Sequence, residues 1–140
     1  MIKNLLLPLL LLFLLTGNAQ DISGEYEAVY DLKNAYISYH LNLEPDGRFI
    51  FKFYRKNYCD SCVEENQYGR GSWVYKNKKL ELLAEAELDV NDDFILDLNG
   101  SEAHYISRSP RDKSSKVVKT RLKFYKSTIF WVKGMELIKK

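Results

Sequence analysis

AYISYHLNLEPDGRFIFKFY, residues 35 to 54, is the stretch on which the fold turns. In its first half Ile37, Tyr39, Leu41 and Leu43 share one side, while Ser38, His40 and Asn42 take the other. Strict alternation of this kind is the signature of a strand with one buried face. Glu44-Pro45-Asp46-Gly47 follows: Pro45 pre-sets the second turn position, and Gly47 accepts the backbone conformation at the end of the turn. Phe49, Phe51 and Phe53 then oppose Arg48 and Lys52. Residues 36 to 54 therefore read as a β-hairpin with an aromatic inner face.

The same period continues outward. GSWVY places Trp73 with Gly71 and Tyr75, and a KNKK turn leads into LELLAEAELDV, residues 80 to 90. That segment has helix-forming composition. Alternation nevertheless fits it better, because Leu80, Leu82, Ala84, Ala86, Leu88 and Val90 fall on every second position and only Leu83 breaks the pattern. It is expected to be a strand. DFILDL, an Asn99-Gly100 turn and EAHYISR form the next expected hairpin. After the polar SPRDKSSK comes VVKTRLKFY, where Val118, Thr120, Leu122 and Phe124 oppose Lys119, Arg121 and Lys123. TIFWV and MELIKK close the chain around Gly134.

About eight to ten short strands joined by tight turns predict an all-β protein, a single antiparallel up-and-down barrel, with a β-sandwich as the alternative. Sequential hairpins without a long return connection favour the barrel. A membrane-embedded barrel fits poorly, since Lys119, Arg121 and Lys123 on a lipid face would each cost roughly 2–4 kcal/mol near the bilayer midplane.

The chain has 140 residues and opens MIKNLLLPLLLLFLLTGNAQ. Lys3 precedes an apolar run from Leu5 to Leu15, and Gly17-Asn18-Ala19 supplies small residues for a peptidase. Residues 1–19 are thus expected to be a signal peptide and residues 20–140 one barrel domain, periplasmic or secreted. The run is shorter than the roughly 20 residues of a membrane-spanning helix, so no stable span is expected after cleavage. A formal net charge of +2 gives no reason to expect a nucleic-acid partner.

LxLxxDGRFxF, starting at Leu41, and GxGSWVYKNKKLEL, starting at Gly69, resemble the small exported lipocalin-like domains of bacteria. The resemblance covers about residues 39 to 83 and implies a calycin-type barrel. Lipocalins proper carry Gly-x-Trp on the first strand, whereas Gly71-Ser72-Trp73 lies mid-chain. Their ligand-binding residues are therefore not transferred.

Cys59 and Cys62 are the two cysteines. Redox catalysis needs a depressed thiol pKa, but Asp60, Glu64 and Glu65 surround the pair and only Arg55 and Lys56 oppose them. Zinc would require His40 and His104, which sit on separate expected strands without paired spacing. A disulfide clipping a loop is the expected state, with free thiols the remaining alternative. Asp89, Asn91 and Asp93 have the start of a calcium-loop spacing, yet Phe94 and Gly100 stand where glycine and glutamate are needed. No nucleophile elbow, phosphate loop or zinc-protease motif occurs, so no cofactor, metal or catalytic residue is assigned and the reading leans away from an enzyme.

Eight acidic residues lie between Glu81 and Glu102 with no Lys or Arg, and eight basic residues lie between Arg108 and Lys126 with only Asp112 against them. Cross-strand pairing is the simple account. Arg111, Lys113, Lys119, Arg121 and Lys123 form the alternative, a stripe for an anionic partner. Function is expected to be ligand binding, with Phe49, Phe51, Phe53, Trp73, Tyr75, Phe94 and Phe124 lining the barrel interior around a small apolar or aromatic molecule. The alternative is a filled barrel that binds an envelope protein through its outer surface, including the 55–69 loop with Tyr54, Tyr58 and Tyr68.

Overall fold

A computed structural model describes residues 21–140; the expected signal peptide lies outside the described residues. Eight antiparallel strands form one closed barrel in sequential order. They are β1 (Gly24–Asp31), β2 (Ala35–Leu43), β3 (Arg48–Asn57), β4 (Glu65–Lys76), β5 (Lys79–Leu83), β6 (Ser101–Ile106), β7 (Arg121–Lys126) and β8 (Glu136–Lys139). The barrel closes where β8 meets β1 at Tyr26↔Lys139 and Glu27↔Ile138. Up-and-down topology sends the connections after β1, β3, β5 and β7 to one end, called here the upper end. The other connections and both chain ends of the barrel lie at the lower end.

The hairpin forms as its alternation dictates. β2 and β3 pair from Ala35↔Asn57 to Leu43↔Phe49, so Tyr39 faces Phe53 and Leu41 faces Phe51 on the inner side. Gly47, at φ 91, donates its N–H to the Glu44 carbonyl at 3.0 Å, and the Asp46 carboxylate accepts from the Arg48 N–H at 2.9 Å. Inside, Tyr26, Leu41, Leu43, Phe49, Phe51, Leu80, Leu82, Leu122, Phe124 and Leu137 are essentially inaccessible to solvent. Each large side chain buried in this way stabilises the fold by about 1.5–3 kcal/mol.

β4 is long because it serves two neighbours. Its first part pairs with β3 from Arg55↔Glu65 to Arg48↔Ser72, and its second part pairs with β5 from Ser72↔Leu83 to Lys76↔Lys79. Glycines stand on its inner side opposite the large rings, at Phe51↔Gly69 and Phe49↔Gly71. A Cβ on Gly71 would run into the Leu83 carbonyl and come within 2.8 Å of the Phe49 ring. One on Gly69 would lie 2.9 Å from Leu98 Cδ1.

Three expected strands are corrected. Residues 80 to 90 do not continue as one strand: β5 ends at Leu83, and the one-turn helix α1 (Ala86–Asp89) follows. Leu88 is exposed while Asp89 is buried, the reverse of the alternating expectation. Asp89 is drawn inward by Arg48 Nη2 at 2.6 Å and by the Glu85 N–H at 2.8 Å, and this polar anchoring overrides the apolar period. DFILDL forms no hairpin with β6. It crosses the edge of β4 that β5 leaves free, through the Leu96 N–H to the Tyr68 carbonyl at 3.0 Å, and buries Leu96 and Leu98. Asn99-Gly100 still turns the chain into β6, with Gly100 at φ 79. Finally, TIFWV is a set of turns between β7 and β8 rather than a strand.

Candidate ligand site at the upper mouth

Alternation on β3 does not stop at the phenylalanines. Arg55 is in phase with Phe49, Phe51 and Phe53, and Glu65 and Gln67 are in phase with the inner glycines of β4. Register brings Arg55 opposite both Ile37 and Glu65, and Phe53 opposite both Tyr39 and Gln67. Facing residues in antiparallel strands share a sheet face. The barrel therefore ends at its upper mouth in a polar set above an aromatic floor. Arg55 Nη2 lies 2.6 Å from Glu65 Oε2, and Gln67 Nε2 donates to Glu65 Oε1 at 3.0 Å.

Trp131, carried by the β7–β8 connection, completes the floor. Its ring lies 5.4 Å from Phe53, 5.7 Å from Tyr39 and 6.1 Å from Phe51, centroid to centroid. Tyr39 and Phe53 are themselves 5.4 Å apart. Burial pushes the Tyr39 hydroxyl pKa up, so it stays a neutral hydrogen-bond donor. Together with the exposed Phe130 these groups line an open cavity of about 340 Å³. Such a cleft offers stacking surfaces to a flat apolar body and two hydrogen-bonding edges to a polar end.

The expected interior residues divide into four groups. Phe49, Phe51 and Phe124 are sealed in the middle of the barrel and fill it. Phe53 lines the upper mouth, while Tyr75 and the half-buried Trp73 belong to the lower half, Trp73 Nε1 donating to the Glu44 carbonyl at 2.9 Å. Phe94 is not inside. It stacks outside the barrel beneath the Arg70 guanidinium, 4.1 Å from the ring centroid, and edge-on to Tyr68. This is because the segment runs along the edge of β4 and sends Leu96 and Leu98 inward, while Phe94 meets the outward residues of that strand. Sequence reasoning missed Trp131, Arg55, Glu65 and Gln67. The β3 and β4 residues were readable from phase; Trp131 lies in a turn and carries no periodic signal.

Cys59 and Cys62 form a disulfide in the β3–β4 connection, with Cα atoms 5.3 Å apart. That connection is held over the upper end by the Tyr58 hydroxyl, which donates to Asp31 Oδ1 at 2.8 Å, and by the Tyr58 N–H to the Asn34 carbonyl at 2.9 Å. His40 lies 3.5 Å from Glu27 and His104 stacks on Tyr125, so neither histidine approaches the cysteines' loop as a ligand set. Among the described residues no three His, Cys, Asp or Glu side chains converge as for a metal ion. In the calcium-like stretch Asp89 is engaged by Arg48, and the Asn91 side chain accepts from the Asp93 and Phe94 N–H groups at 2.9 Å.

Of the basic stripe, Arg121 and Lys123 both approach Glu136, at 3.9 and 3.8 Å. Lys119, Arg111 and Lys113 are exposed on the β6–β7 connection. The acidic and basic blocks meet at Lys126–Glu102, 3.7 Å apart.

The fold and this mouth define the class: a closed, eight-stranded antiparallel barrel whose centre is packed and whose upper end opens as an aromatic cleft with a polar rim. Comparison with protein-family models, with curated proteins and with solved structures yields no match.

Proposed function

We propose that this protein is an exported, lipocalin-like binding module that holds a small apolar or aromatic molecule in its upper mouth. One observation carries the reading: Arg55, Glu65 and Gln67 face inward over Tyr39, Phe53 and Trp131 around a cavity of about 340 Å³. Arg55 and Glu65 stay part-exposed at the mouth and pair with each other and with Gln67, so the set is a solvated polar rim able to exchange hydrogen bonds with the polar end of a ligand. The apolar body of the ligand stacks on Trp131 and Tyr39, and its polar end exchanges hydrogen bonds with the Arg55–Glu65–Gln67 set. Export is supported by the Lys3, Leu5–Leu15 and Gly17–Ala19 pattern together with the Cys59–Cys62 disulfide.

N-phenyl-1-naphthylamine, a neutral fluorophore, tests the reading. Titrated into the protein, it is expected to brighten with a micromolar midpoint, and Trp131→Ala is expected to weaken binding by about tenfold or more. No enhancement up to the solubility of the probe, or equal binding by wild type and Trp131→Ala, overturns it.

A second reading has its own support. Leu32, Val63 and Phe130 are exposed by 54%, 87% and 87%, and all three stand on upper-end connections around the mouth. This rim suits an envelope protein as partner, with Tyr58 beside it. A protein that co-purifies with the wild type and is lost from Val63→Ser/Phe130→Ser would replace the carrier reading.

A further inference from the structure

The lower end of the barrel opens into a separate and larger cavity, about 540 Å³, lined by Tyr75, Lys78, Tyr105, Ser107, Arg108 and Pro110 among others. Its aromatic wall is the Tyr75–Tyr105 pair, packed edge to face with centroids 5.8 Å apart. Two cations and no carboxylate stand among its lining residues. Neither Lys78 nor Arg108 has an ion-pair partner among the described residues. Arg108 is instead steadied by donating from Nη2 to the Ser114 carbonyl of the same connection, which leaves its other N–H groups free.

The placement of Lys78 adds an independent observation. Asn77 and Lys78 form the tight β4–β5 turn, both in the left-handed region at φ 55 and φ 61. Asn-Gly is the sequence that meets this turn with least strain, and lysine at its second position is disfavoured. A lysine kept in a strained turn at the edge of a cavity is the kind of feature that function retains. Burial and the neighbouring Tyr105 push the Tyr75 pKa up, keeping the phenol a donor.

We infer that this lower cavity is a second binding site, for an anionic small molecule with a flat aromatic body. Its ring system lies against Tyr75 and Tyr105, and its carboxylate or equivalent anionic group is met by Lys78, Arg108 and the adjacent serine hydroxyls. The site is independent of the upper mouth, because the packed layer of Phe49, Phe51, Phe124 and Leu80 separates the two.

The test uses 1-naphthoate and its neutral counterpart 1-naphthamide, followed by NMR on protein labelled at tyrosine and tryptophan side chains. 1-Naphthoate is expected to shift Tyr75 and Tyr105 resonances, to leave Trp131 unmoved, and to bind about tenfold or more tighter than the amide. Lys78→Gly should raise Tm, by relieving the left-handed turn, while weakening 1-naphthoate by a similar factor. Arg108→Gln, in the exposed connection, should weaken it without changing Tm. A variant that gains stability and loses binding separates recognition from folding. Equal binding of acid and amide, unchanged affinity in Lys78→Gly, or shifts confined to Trp131 overturn the inference; the last outcome leaves the upper-mouth reading standing.

Discussion

Asp89 shows how one residue can outvote the pattern around it. Its carboxylate is nearly inaccessible, and burial alone would raise its pKa. The Arg48 hydrogen bond, the Glu85 N–H and the charges of Arg48 and Arg70 outweigh that burial and hold it below the usual carboxylate value of 3.8. A carboxyl group whose folded pKa is depressed adds stability above its unfolded pKa, and that stability is lost as pH falls through the folded value. Asp89→Asn is therefore expected to cost about 2 kcal/mol at pH 7, with the gap between variant and wild type closing below about pH 4. Denaturant titrations at a series of pH values check this, and a constant gap down to pH 2 contradicts it. Gly69 and Gly71 make the complementary point. Their missing side chains are what admit Phe49, Phe51 and Leu98 to the inner layer.

At the scale of the element, the connections differ more in their anchoring than the strands do. The segment from Phe94 to Leu98 has strand-like composition but buries its leucines against β4 without pairing along its length, because β5 is too short to cover the upper part of β4. The β3–β4 connection is clipped by Cys59–Cys62, whose sequence separation is 3. So small a loop loses little entropy on closure, about 2 kcal/mol at most by the chain-entropy relation. Cys59→Ser/Cys62→Ser is thus expected to lower stability by no more than that and to leave the far-ultraviolet circular dichroism of the barrel unchanged. Collapse of the β signal in the double variant would show that the clip organises the sheet. Tyr58 already ties this connection to Asp31 and Asn34, which is the physical reason for a modest effect.

Across the whole molecule, the barrel is not equally strong around its circumference. β2 and β3 pair without interruption from Ala35↔Asn57 to Leu43↔Phe49, whereas the β1–β8 register is just the two pairs Tyr26↔Lys139 and Glu27↔Ile138, extended by one bond from Lys140. Local opening follows the weakest seam. Backbone amides of β8 and those of β1 facing it are expected to exchange with solvent earlier than those of β2 and β3, as amide hydrogen exchange followed by NMR will register. Slowest exchange at the β1–β8 seam would contradict this. Closure through so short a seam works because Tyr26 and Leu137 are sealed in the core and the Lys140 N–H reaches the Glu25 carbonyl at 2.9 Å.

The sequence by itself determined the all-β class and the β2–β3 hairpin, since side chains alternating at every residue put Phe49, Phe51 and Phe53 on one hidden face. Its sequential hairpins favoured the barrel over the sandwich that the β1–β8 closure excludes. It also carried the inward phase of Arg55, Glu65 and Gln67, although a charge at an inner position reads as a strand end until its neighbours are known. Only the tertiary structure decided that Leu80–Val90 breaks after Leu83, that Phe94 lies outside, and that Trp131 forms the floor of the upper mouth. Alternation reports which side of a strand a residue takes. It is silent where the chain leaves the sheet, and there single polar anchors and the shape of the unfilled barrel end settle the path.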